Sequence, residues 1–336
     1  MGTSGLDRMV VRFGKLGLIL GAALLAGACS QVELAPALQP LSQETIMLLG
    51  KNGMSASSPI FVRVFKEESE LEVWKLREDG RFYHFRTYPI CNWSGGLGPK
   101  LRQGDMQTPE GFYTVSAGQM NPTSQYHLAF NLGFPNAYDR AQGRTGQFLM
   151  VHGKCRSAGC YAMTDALMEE IYALAREAFI GGQQSFEVHA FPFRMTESNM
   201  RRYRTSPHYR FWRMLKDGYD YFETTRQLPA VAVCERRYVV NVRWTGGPLS
   251  QIDPQSACPQ FERPAMVPFM PLDRTQVAEA RVMAPGVKMR SAAANSESSS
   301  GVAGILASFS NVDFGRMLGL GASQSSMRSS ATAFSR

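Results

Sequence analysis

The 336-residue chain predicts a mainly β fold with flanking helices, a helical C-terminal extension and a disordered tail. Three observations predict it. Short β-branched and aromatic runs recur from Pro59 to Val115, separated by glycine or charged turns. One longer stretch, Ala166 to Ala178, carries helical spacing instead. Beyond about residue 266 the chain becomes Ser- and Ala-rich, with too little apolar surface to fold alone.

Residues 1–28 have the form of an export signal. Arg8, Arg12 and Lys15 precede an apolar run from Leu16 to Leu25, and Ala26-Gly27-Ala28 offers small residues for cleavage. The run is well short of the ~20 residues a spanning helix needs. Cys29 follows directly and resembles the lipidated cysteine of bacterial lipoprotein signals, although Ala26 stands where leucine is usual. Cleavage at Ala-x-Ala is the alternative. Either route exports the chain to the periplasm or cell envelope of a Gram-negative-type bacterium, and lipidated Cys29 would anchor it to the membrane.

Residues 29–57 carry Pro, Gln and Ser with weak periodicity and read as a tether. A sheet domain is expected over 58–193. Within it, Ile60 to Phe65, Leu71 to Leu76 and Phe82 to Tyr88 read as consecutive antiparallel strands. Gly111 to Val115 and Phe148 to Val151 are expected to extend the same sheet, and Glu187 to Phe191 to close it. The helix sets Leu167, Ile171, Leu174 and Phe179 near one face. A helical and β extension follows over 194–265. Its aromatic stripe (Tyr203, Phe211, Trp212, Tyr219, Phe222) is expected to pack on the sheet domain, with Pro207 interrupting the helix. Residues 266–336 read as the disordered tail.

The formal charge is +8, with basic residues scattered or paired, as at Arg201-Arg202 and Arg236-Arg237. No Lys/Arg block appears, so no nucleic-acid partner is expected, whereas an acidic polymer or anionic lipid surface suits the charge. There are 6 cysteines, and an exported chain permits disulfides. Setting aside Cys29 and one working thiol leaves Cys91, Cys155, Cys234 and Cys258, with three pairings open. Cys234–Cys258 is favoured because it closes a local loop across Arg237 to Val242, worth roughly 3–4 kcal/mol.

The chemistry concentrates in His152-Gly153-Lys154-Cys155-Arg156-Ser157-Ala158-Gly159-Cys160. An apolar run ends at Val151, and Thr164-Asp165 reads as a helix cap. Strand, glycine turn, cysteine, helix: that order places a thiol near a partly positive helix end, with an imidazole in reach. Cys160 is the candidate nucleophile and His152 its base. Gly159, after Ser157, allows a sharp turn that aims the amides of Gly159 and Cys160 at an oxyanion; one such donor is worth ~2.7–4 kcal/mol. Three alternatives stand beside this: a buried or cystine-bound pair, Cys155 as nucleophile, and a zinc site from His152, Cys155, Cys160 and His189. That spacing matches no common zinc pattern, so no metal is expected. A Cys–His nucleophile requires no cofactor.

Three blocks in this order resemble the L,D-transpeptidase (YkuD-type) catalytic domain family, and most closely its YafK-like branch. They are Gly104-Asp105-Met106-Gln107-Thr108-Pro109-Glu110-Gly111-Phe112-Tyr113, Val151-His152-Gly153 and Ser157-Ala158-Gly159-Cys160-Tyr161. Ser94 to Lys100 and Pro135 to Asp139 are similar to the branch in particular. The resemblance implies a mixed β-sandwich catalytic domain over 58–193 and acyl transfer through a thioester on Cys160. It also implies that a Gly153 carbonyl orients His152, and that peptidoglycan stem peptides are the substrate. An amine acceptor would give transpeptidation; water would give an amidase releasing wall-linked lipoprotein. A non-catalytic wall-binding module is the reading from another class.

Two positions depart from the family pattern. Ala158 replaces a histidine, Ala162 replaces Arg or Asn, and the His–Cys interval is short. The missing cation directs attention to Arg144, Lys154 and Arg156 as carboxylate contacts. Tyr138 is a candidate cleft-lining residue.

Overall fold

The β-rich runs form strands because each has a buried face to offer. In the computed structural model, which describes residues 34–246 and 252–270, β1 (Ile60–Phe65), β2 (Glu70–Leu76) and β3 (Phe82–Pro89) form an antiparallel meander. β4 (Gly111–Ser116) and β9 (Ser185–Phe191) complete a five-stranded sheet of order β3-β2-β1-β9-β4, with β9 parallel to β1. Every residue of central β1 is buried, so it is apolar on both faces except at Arg63, whose guanidinium is paired with Glu72 and Glu223.

A second, four-stranded sheet follows the order β5 (Met120–Asn121), β6 (Ala129–Asn131), β7 (Met150–His152), β8 (Tyr161–Ala162). Phe148 to Val151 therefore does not extend the first sheet. The strand begins at Met150, and Phe148 turns out to solvent with a φ of 58° and 63% exposure. The two sheets meet where Phe130 of β6 packs edge-on against Phe186 of β9, centroids 5.4 Å apart.

Helix α1 (Gln43–Lys51) corrects the tether reading from residue 40 onward. Ser42 Oγ caps the Thr45 amide at 3.1 Å, Leu49 is buried, and Thr45 Oγ1 donates to Glu170 at 2.8 Å. Nine residues are too short for their period to be read. Residues 34–39 belong to a separate unit, in which Pro36–Leu38 form one 3-10 turn. The expected signal segment and Cys29 lie outside the described residues.

Helix α2 (Ala137–Ala141) precedes β7, and α3 (Asp165–Ile180), capped by Thr164, follows β8. Helices α4 (Glu197–Arg202) and α5 (Tyr209–Thr225) flank Pro207. A hairpin, β10 (Val231–Cys234) and β11 (Arg237–Val240), is tied down by the Cys234–Cys258 disulfide, and β12 (Arg243–Trp244) pairs with β13 (Phe261–Glu262). Residue 193 is no division between packed bodies. Phe65, Phe112 and Phe191 share one apolar cluster with Phe211, Trp212, Leu215 and Tyr219 of α5. Trp212 Nε1 also donates to buried Glu110 at 2.8 Å. The tail reading needs a correction at its start, because the Phe269 amide donates to Thr224 at 2.7 Å and its ring meets Tyr83. From residue 271 that reading lies outside the described residues. Among the described residues no helix is long and apolar enough to cross a membrane.

Candidate active site

Parallel pairing of β7 with β8 sets Val151 opposite Tyr161 and His152 opposite Ala162. Continuing that register puts Cys160 level with Met150, whose amide donates to the Cys160 sulfur at 3.4 Å. Side chains two positions apart share one face of a strand. By that alternation His152 and the position of Cys160, one residue before β8, fall on the same side of the β7–β8 pair. The thiol itself donates to the Phe148 carbonyl at 3.6 Å. His152 is buried, and its Nδ1–H donates to the Gly153 carbonyl at 2.6 Å, because a carbonyl oxygen only accepts. Nε2 is then the basic nitrogen of the neutral ring. Tyr126 packs on that ring, centroids 4.7 Å apart.

Burial pushes the His152 imidazole below its usual value, opposed by the Gly153 carbonyl. Burial pushes the Cys160 thiol up, opposed by the Met150 amide and the charge of Lys100. Both shifts favour the neutral thiol and the neutral imidazole over the ion pair. The expected helix-end placement of the thiol is corrected: β8 stands between Cys160 and α3, and a helix field fades within its first turn.

Gly159 adopts a φ of 117°, which a side chain would strain. Its amide, however, donates to Ser157 Oγ at 3.3 Å and so is not aimed at an oxyanion. Ser157 braces the turn, donating to the Cys160 carbonyl at 2.7 Å and meeting Ser94 Oγ at 3.0 Å. Cys155 is paired with Cys91, Cα atoms 5.3 Å apart, which removes it as a rival nucleophile and as a zinc ligand. His189, the fourth residue of that zinc set, packs in the first sheet against Phe61 and Phe112. Among the described cysteines, Cys160 is the one outside a disulfide.

Comparison with known proteins bears on this site. A sequence model of the YkuD family, described as the L,D-transpeptidase catalytic domain, matches residues 61–180. A protein named "Putative L,D-transpeptidase YafK" from Escherichia coli K12 is 45% identical over 227 residues, 68% of this chain and 90% of the relative; the O157:H7 protein of that name matches equally. The chain belongs to the YkuD L,D-transpeptidase family. Among solved structures, the helical cell shape determining protein Pgp2 of Campylobacter jejuni is 24% identical with a TM-score of 0.32. The match covers 44% of this chain and 54% of Pgp2. Bd1075 of Bdellovibrio bacteriovorus is 22% identical with a TM-score of 0.29, over 56% of this chain and 65% of that one. At the family level the chain is a peptidoglycan-related transpeptidase.

Within this L,D-transpeptidase domain, the expected carboxylate contacts are mostly engaged elsewhere. Arg144 is buried, pairs with Asp139 at 2.7 Å and lies over the Tyr138 and Phe211 rings. Lys154 donates to the Gln125 carbonyl at 2.9 Å. Arg156 is exposed and makes no ion pair or hydrogen bond among the described residues. Tyr138 is a core residue, stacked between Phe211 and Tyr238 with centroids 5.4 and 4.3 Å away.

Sequence reasoning missed Lys100. Its ammonium donates to Arg102 O at 3.0 Å and to Asp105. The Asp105 carboxylate also collects the amides of Leu101, Arg102 and Gln107, and these donors hold it at about 2 despite its partial burial. The same loop is bolted down by buried Lys66, which donates to Gly98 O, Thr108 O and Glu110. The only signal for Lys100 was its place beside the glycine-rich segment at 94–98.

Proposed function

We propose that this chain is an exported cysteine acyltransferase acting on peptidoglycan stem peptides, with Cys160 as nucleophile and His152 as base. What carries the reading is one juxtaposition: the free thiol of Cys160 lies at the Met150 amide of β7, the same three-residue strand that carries His152, whose Nδ1 is anchored on Gly153 O. His152 Nε2 takes the thiol proton as sulfur bonds to the carbonyl carbon and the carbonyl electron pair moves to oxygen. Collapse breaks the C–N bond, and the imidazolium gives its proton to the leaving amine. An amine or water then attacks the thioester; His152 takes that proton and returns it to sulfur.

Because burial disfavours both charges, the thiolate–imidazolium pair forms uphill, each pKa unit costing about 1.4 kcal/mol. The Met150 amide and the charge of Lys100 favour the thiolate. Export through residues 1–28, with membrane anchoring at lipidated Cys29, completes the proposal.

Incubating the purified full chain with labelled muropeptides and with lipoprotein-linked sacculi tests it by product mass. A cross-linked product identifies an amine acceptor; a gain of water with release of lipoprotein identifies the amidase. Absence of both, with sacculus binding retained by Cys160→Ala, leaves the wall-binding module instead.

A further inference from the structure

The loop that carries Lys100 also walls an open groove of about 880 Å³, through its neighbours Pro99 and Leu101. Helix α5 and the β10–β11 turn supply the opposite lining. Arg210 and Arg213 of α5 and Arg236 of the turn are exposed, and none of the three guanidiniums makes an ion pair or hydrogen bond among the described residues. Arg237, by contrast, is matched by Glu235 at 2.8 Å. The N-terminus of the 17-residue α5 adds to the positive field: its N-cap, His208, makes no side-chain cap bond, and its first turn holds no acidic residue. Three unmatched guanidinium forks around one groove are suited to several anionic groups along one ligand.

The groove is mechanically continuous with the site. The Thr145 amide donates to Leu101 O at 3.1 Å, the Gln103 amide to Thr145 Oγ1 at 3.2 Å, and the Gln147 amide to Gln103 Oε1 at 3.1 Å. This stitched pair of loops lines the groove at Leu101 and Arg144, and holds the Cys160 thiol through Phe148 O. Arg144 and Phe148 are four positions apart, so at most ~14 Å of backbone separates the groove wall from the reacting sulfur's partner. An extended peptide crosses that span in a few residues.

We propose that this groove binds a carboxylate-bearing peptide strand of the polymer whose amide reacts at Cys160. This rests on the function proposed above. Asp217 also lines the groove, where it would accept the ammonium of a peptide carrying both charges, a group that polyphosphate lacks.

The test is co-sedimentation of the full chain with purified peptidoglycan sacculi at low salt, with poly-glutamate or polyphosphate as competitor. Arg210→Gln/Arg213→Gln should weaken binding at least tenfold, Arg210→Lys/Arg213→Lys should retain most of it, and poly-glutamate should displace the wild type. The rate of Cys160 alkylation by iodoacetamide reports that the double variant is folded; a collapsed variant is replaced by Arg236→Gln, expected to weaken binding severalfold. Unchanged affinity in a folded variant overturns the proposal, as does displacement by polyphosphate but not by poly-glutamate. If Cys160 forms no acyl adduct while the arginines still govern binding, the catalytic reading fails and the groove stands. An adduct with unchanged variant affinity removes the groove alone.

Discussion

Gly153→Ala perturbs the joint on which the catalytic geometry turns. A Cβ built at Gly153 lies 2.5 Å from Asp165 Oδ1 and 3.1 Å from both His127 Cβ and Tyr126 O. Yielding costs a hydrogen bond at two of these atoms. Asp165 Oδ1 accepts the Lys154 amide at 2.7 Å, and Tyr126 O accepts the Gly153 amide at 3.0 Å. Overpacking of this kind costs about 1–3 kcal/mol. Relief by backbone movement shifts the carbonyl that orients His152, and misplaced proton transfer forfeits part of a ~10²–10⁴-fold contribution. Urea denaturation should show the stability loss, and single-turnover acylation of Cys160 should slow at least ~10-fold. Asp165→Ala removes the closest clash, so the double variant should be less destabilised than the two singles added, by about 1 kcal/mol. Strictly additive energies, or Gly153→Ala within ~0.5 kcal/mol of wild type, would refute the close-contact reasoning.

Lys66→Met leaves the buried Glu110 carboxylate without its cation and Thr108 O without its side-chain donor; about 3–5 kcal/mol should be lost by urea denaturation, with part restored by adding Glu110→Gln, and a loss under ~1 kcal/mol would contradict the buried-pair account. Lys75 is buried, donates to Ala56 O at 2.7 Å, and is pushed down to about 7 by burial. Between that value and its unfolded one, the unfolded chain holds a proton that the folded chain has released. Stability relative to Lys75→Met should therefore rise with pH from about 7 to 10.5, by up to ~1.4 kcal/mol per pH unit; parallel curves for the two proteins would refute the shift.

Legibility in the sequence followed element length and contact range. Ile60–Phe65 was readable to the residue because five of its six residues are β-branched or aromatic and turn residues bound it, although nothing local revealed that Arg63 is buried against Glu72 and Glu223. Helix α3 was readable because 16 residues display their period and Thr164 announces the cap. Cys160 and His152 stood out since their chemistry is carried by residue type and local order. Strands of two or three residues, such as β5 to β8, have no period to detect, so the second sheet and the true context of Phe148 stayed hidden. Arg144 looked available because nothing local reveals that Asp139, Tyr138 and Phe211 enclose it. Likewise the Gly159 amide looked free until Ser157 folded back upon it.

Peptide mapping by mass spectrometry after a carbapenem acylates the folded, disulfide-intact chain tests the Cys160–His152 pair most directly. One adduct is expected, on Cys160, in the wild type, and none after Cys160→Ala or His152→Ala. An adduct on Cys155 or Cys91, or full labelling of Cys160 at the wild-type rate without the His152 ring, would contradict it.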